Sequence, residues 1–199
     1  DNIGVGIENS RFESCSAVDK GGAVFVYEKN TGFDVESSRF ESCSATSYGG
    51  AIYIHEDNDD VNISHSTFES CNASSYGACI YVHEDNDDIH IAHSTFQSCN
   101  ASLYGSAIAV YSDNDNFGIA HSRFDSCSAF VHGGAIYVHE DNSEFNVAHS
   151  TFQSCTAQSD GGGIYLHGRN SNSAIRDSWY IECKSNNGNG GAIYMNNDN

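Results

Sequence analysis

One unit of 28 residues repeats along the whole chain, and this period decides what the chain can fold into. Phe12, Phe40, Phe68, Phe96, Phe124, Phe152 and Tyr180 each stand 28 residues after the last. A cysteine follows each anchor by three residues (Cys15, Cys43, Cys71, Cys99, Cys127, Cys155, Cys183), and a serine precedes it by two, as at Ser38, Ser66 and Ser94. A turn asparagine closes each unit, from Asn2 through Asn30, Asn58, Asn86, Asn114, Asn142 and Asn170 to Asn199. The last interval is 29, because the stretch 184–191 holds one extra residue. Units of this length cannot bury an apolar face alone, so they stack, and each contacts only its neighbours. No linker or shift in composition interrupts the repeat, and residues 1–199 read as one domain.

Within a unit the apolar pattern has period two. In Ala51-Ile52-Tyr53-Ile54-His55 the second and fourth positions are aliphatic, as they are in Ile80/Val82, Ile108/Val110 and Ile136/Val138. Such alternation marks a strand with one buried face. After an acidic turn at 56–60, a second short strand places Val61 and Ile63 inside. A third, over 66–73, points Ser66 and Phe68 inward and, past a bend, Cys71 and Ala73. Glycines such as Gly49 and Gly50 return the chain to the next first strand, since glycine alone reaches positive φ without a steric cost. Three short strands per unit and no helical stretch predict an all-β, right-handed, three-sided parallel β-helix of seven rungs. At about 4.8 Å per rung it would be a rod roughly 34 Å long. A propeller blade needs about 40 or more residues, and a leucine-rich repeat needs a leucine ladder that is absent.

The net charge of −19, from 27 acids against 8 bases, argues against nucleic acid as a partner, because phosphate contacts need a basic stripe. It also disfavours docking on an anionic membrane surface. No run is long enough for a transmembrane helix, so no membrane insertion is expected.

The paired motifs Phe-x-Ser-Cys (40–43, 124–127) and Gly-Gly-Ala-Ile-Tyr (49–53, 133–137) resemble the repeats of the polymorphic outer membrane protein family. The resemblance covers the whole chain. It implies a right-handed β-helix with surface exposure and an adhesive or structural role. The family carries Asn where this chain has Cys, and related Cys-bearing repeats occur in large secreted or surface proteins of protists and algae. That departure favours a eukaryotic extracellular or cell-surface protein over a bacterial adhesin.

Several ladders are candidate sites. The outward residues of the first strand give an aromatic strip, Tyr53, Tyr81, Tyr137 and Tyr165, flanked by His55, His83 and His139. Ordinary β-propensity accounts for it, and so does a surface facing a glycan or a lateral protein partner. A further imidazole ladder, His65, His93, His121 and His149, sits at a bend, where collinear rings make poor chelators. The acidic turns hold Glu56, Asp57, Glu84, Asp85, Asp113, Glu140 and Asp141, which are either a solvated edge or ligands for Ca²⁺. Stacked cysteines are expected to fill a core layer as small hydrophobes, since an in-register stack spaces Cβ atoms too widely for disulfides. Cys79, in the place of an outward Ala51, is the candidate reactive thiol. Three sequons, at Asn62, Asn72 and Asn100, are candidates for N-linked glycans. Deviations from the repeat cluster at Ala78, Cys79, Ser106, Ala109, Tyr111 and Ser112, and read as drift or as a docking notch.

These readings favour a non-enzymatic structural or adhesive protein, part of a glycosylated filament or cell-surface appendage. The competing expectation is a carbohydrate-binding or pectate-lyase-like, polysaccharide-degrading β-helix. That chemistry needs acids and bases converging on one strand face, whereas the bases here are scattered from Arg11 to Lys184. Because both ends fall at the same turn position, the partners expected are further rungs, either of a longer array or of other copies stacked end to end.

Overall fold

A computed structural model describes residues 2–196, so the closing Asn199 lies outside the described residues. Among these, the chain forms strands and no helix. It is a parallel β-solenoid of seven turns, with each strand paired to its equivalent one rung away, as in Ile52↔Ile80, Val61↔Ile89 and Phe68↔Phe96. The last step pairs Ile164 with Ile193, so the extra residue is absorbed in a loop without loss of register.

Each rung carries four strands where the alternation predicts three. In the second full rung they are Ile52–Ile54, Asp59–Ser64, Thr67–Glu69 and Asn72–Ala73, and they build four seven-stranded sheets. The expected third strand is cut in two at Ser70, whose φ is +55°. Ser42, Ser98, Ser126 and Ser154 repeat that corner. His65, His93, His121 and His149 turn another corner at φ +50°. Short polar side chains tolerate this left-handed region better than branched ones do. At Gly49, φ is +60°, and a Cβ there would lie 2.4 Å from the Ile52 carbonyl oxygen, so only glycine fits.

The interior is laid down in layers. Ile52, Ile54, Val61, Ile63, Phe68 and Cys71 are fully buried, as the period-two pattern requires. Phe40, Phe68 and Phe96 stack face to face at 4.8 and 4.9 Å. Removing one such ring would cost about 3–5 kcal/mol. Two polar ladders line the corners. The Ser66 amide donates to Ser94 Oγ at 3.2 Å, while Ser66 Oγ donates to the Ser64 carbonyl at 2.9 Å. Asn58, Asn86, Asn114 and Asn142 are buried and bonded in series. Buried polar groups are therefore matched rung by rung, which fixes the register.

Candidate functional site

The side of the coil that begins each rung carries the main departure from expectation. Tyr53, Tyr81, Tyr137 and Tyr165 leave the strand away from the main core, as alternation requires, yet they form a second apolar cluster of their own. Only 0%, 3%, 6% and 4% of their respective surfaces remain exposed, so they are not a partner-facing strip. The preceding loop folds over them. Tyr48, Tyr76, Tyr104 and His132 are bridged in register from rung to rung and pack on the strip. Tyr48 lies 5.0 Å from Tyr81, Tyr104 4.9 Å from Tyr137, and His132 4.4 Å from Tyr165. The left-handed glycines 49, 77, 105 and 133 reverse the chain directly after these covering residues. The missed signal was an aromatic or imidazole immediately before each of those glycines. Burial, and then nearby carboxylates, push the Tyr53 phenol up, and burial takes Tyr76 to about 12.

The notch expected at Ala109 is closed as well. Ala109 is fully buried, and Tyr76 and Tyr137, two rungs apart, meet across it at 6.0 Å. A cleft of about 280 Å³ does open beside it, lined by Lys20, Tyr48, Tyr81, His83, Glu84 and Tyr111 among others.

At the outer edge of the strip Tyr27, His55, His83, Tyr111 and His139 form one stack, with centroids 5.0, 5.3, 5.6 and 4.6 Å apart. Here histidines and acids interleave. His55 Nδ1 lies 3.7 Å from Glu28 Oε1, His55 Nε2 lies 3.8 Å from Glu56 Oε1, and His83 Nδ1 lies 3.1 Å from the same oxygen. The Nδ1 atoms of His55 and His83 are buried and make no hydrogen bond of acceptable geometry. Among the described residues, His55, Glu56 and His83 are the one group of three or more metal-ligating side chains within 4.8 Å of one another. Of the acidic residues expected to ligate Ca²⁺, only Glu56 joins it. Asp57, Glu84, Asp85, Asp113, Glu140 and Asp141 join no such group, and Asp57, Asp85, Asp113 and Asp141 are exposed at left-handed corners.

Cys79 is not an exposed thiol. It is fully buried and disulfide-bonded to Cys99, across the coil with a Cα–Cα distance of 6.5 Å. The alternation fails just before the strand, because the amides of Cys79 and Ile80 both donate to the Ala107 carbonyl. Two successive residues then face inward. The other rungs have Ala or Gly at that place, which explains why Cys43, Cys71, Cys127 and Cys155 are free, buried thiols. The preceding rung's thiol, and then burial, hold Cys71 and Cys183 well above the usual thiol range.

The sequon asparagines differ in setting. Asn72 and Asn100 are exposed and are direct register partners. Asn62 is half-buried, and its amide donates to Asp60 Oδ1 at 2.9 Å. Four arginines are paired on the surface, Arg11 with Glu13 and Glu41, Arg39 with Glu41, Arg123 with Asp125 and Arg169 with Asp141. No protein-family model matches the chain, and no curated protein shows a significant match to it.

Proposed function

We propose that this chain is a non-enzymatic structural rod of an extracellular filament or cell-surface appendage, extended axially by further rungs of the same pattern. The observation that carries the reading is the continuity of register. Four sheets run the full described length, with the phenylalanine, serine and asparagine ladders in step. A coil bonded in this way resists bending and shear because each rung is tied to the next at every corner. The charge of −19 keeps rods apart sideways. N-linked glycan at Asn72 or Asn100 is part of the reading, and their stacking in adjacent rungs predicts that one occupied site hinders the other.

Electron microscopy of protein from its native source tests this reading. Rods that continue past seven rungs support it, and isolated compact particles overturn it. Intact-mass measurement before and after glycosidase treatment tests the glycan separately. A second reading, carbohydrate binding, is favoured by the tyrosine-lined cleft beside Lys20 and Glu84, and a glycan array that returns no hit removes it.

A further inference from the structure

We propose that His55, Glu56 and His83 form a binding site for a divalent transition-metal ion of the Zn²⁺ type, straddling two adjacent rungs. The inference does not depend on the structural role proposed above.

Two features single this place out from the rest of the ladder. One is the buried His83 Nδ1, which lies beside Glu56 without a hydrogen bond while the equally unbonded His55 Nδ1 lies beside Glu28, since buried polar atoms are nearly always satisfied. Further along the same stack the requirement is met. His139 Nδ1 faces Ser112 Oγ at 2.9 Å, with the hydroxyl where other rungs place a glutamate. The other is the alternation Glu28, His55, Glu56, His83, which brings a carboxylate between two imidazoles and a second carboxylate to within 3.7 Å of His55 Nδ1.

The donor set selects the ion. Two imidazoles and a carboxylate suit Zn²⁺, Co²⁺ or Ni²⁺ and leave a coordination position open. Ca²⁺ and Mg²⁺ need more oxygen ligands than converge here. The ligand atoms now span up to 4.8 Å, whereas a tetrahedral ion wants them roughly 3.4 Å apart. Closing that difference needs movement of about an ångström, which side-chain rotation supplies. Glu56 is half-buried at a turn. The ladder also admits tilted rings, because His139 and His167 meet at 42°. The cleft that includes His83 gives an ion access from solvent.

Chain stripped of metal, then titrated with Zn²⁺ by calorimetry and with Co²⁺ by absorption spectroscopy, tests the site. About one ion should bind per chain, with a Co²⁺ spectrum lacking thiolate charge-transfer bands. His83→Tyr and Glu56→Gln should each weaken binding by about tenfold or more. Tyr27 and Tyr111 occupy the same ladder position as His83, so His83→Tyr keeps the stack. Glu56→Gln keeps shape and removes charge. His65→Ala with His93→Ala, in the exposed imidazole ladder, and His139→Tyr should leave binding unchanged, and Ca²⁺ should not compete. Absence of stoichiometric binding overturns the proposal, as does binding that survives both His83→Tyr and Glu56→Gln, or that disappears with His65 and His93.

Discussion

The side chains of Asn86 and Asn114 are joined one rung apart. Both the backbone amide and the Nδ2 of Asn86 donate to Asn114 Oδ1, at 3.0 and 3.1 Å. Asn58 makes the same pair of bonds to Asn86 Oδ1. The series satisfies buried donors at a corner where the sheets cannot. Asn86→Ala leaves two buried donors of Asn58 without an acceptor, at about 1–3 kcal/mol each in the worst case. The expected loss is roughly 3 kcal/mol in urea unfolding. Asn170→Ala should cost less, because it accepts only the Asn142 amide and is itself half-exposed. Equal, small effects at both sites would remove the ladder as a source of stability.

The disulfide between Cys79 and Cys99 closes a segment of sequence separation 20. Chain-entropy reasoning gives such a link about 3 kcal/mol. Cys79→Ala restores the residue found in neighbouring rungs, so it removes the link without an unfavourable new group. Unfolding midpoints of the parent chain should fall on reduction, and those of Cys79→Ala should not change. Thiol titration of the denatured, unreduced chain should find the six free cysteines.

The core and register were legible in residues such as Ile52, Ile54, Val61, Ile63 and Phe68, because period two inside a fixed long period leaves one inward face. What was not legible has local causes. Alternation says from which side Tyr53 leaves its strand, but not that Tyr48 folds over it. Cys79 was misplaced because alternation was carried past the strand into a position where two amides share the Ala107 carbonyl. The fourth strand was hidden by Ser70, a serine that could have continued the strand and instead turns a corner. His55 and His83 read as the flank of the aromatic strip and Glu56 as part of an acidic turn, and only the fold sets Glu56 Oε1 3.8 Å from His55 Nε2 and 3.1 Å from His83 Nδ1.

Acid should destabilise the fold through three histidines. Burial is the main cause holding His83, His132 and His139 below the ordinary imidazole value of 6.5. Glu84 and Glu56 oppose the shift at His83, Asp160 opposes it at His132, and Glu140 and Asp141 oppose it at His139. With folded values depressed, the unfolded chain binds protons first. Stability is therefore full above pH 6.5 and falls as pH drops through the window beneath it. His139→Tyr should flatten that slope. Asp87 acts oppositely and lower: burial, then Asp115 and Asp59, raise its carboxyl, so protonating it relieves strain as pH approaches 3.8. Urea midpoints measured from about pH 7.5 to pH 5.5 should decline, and a flat profile would contradict the buried neutral state.

Ala109→Tyr is the sharpest test of the covered aromatic layer. Ala109 pairs in register with Tyr81 on one side and Tyr137 on the other, so repeat logic alone says a tyrosine completes the stack. A completed pair of contacts would add about 0.5–1.5 kcal/mol. The space is already taken, however. Tyr76 and Tyr104 stand 4.8 Å apart over the gap, and both approach Tyr137, at 6.0 and 4.9 Å. A new ring must displace them, and overpacking of this kind costs about 1–3 kcal/mol. The substitution should therefore destabilise the chain in urea unfolding. Tyr76→Ala should be costly alone and much less so beside Ala109→Tyr, since the new ring then fills the vacated space. A stabilising Ala109→Tyr would mean that the gap is open, and would restore the docking notch that the structure closes.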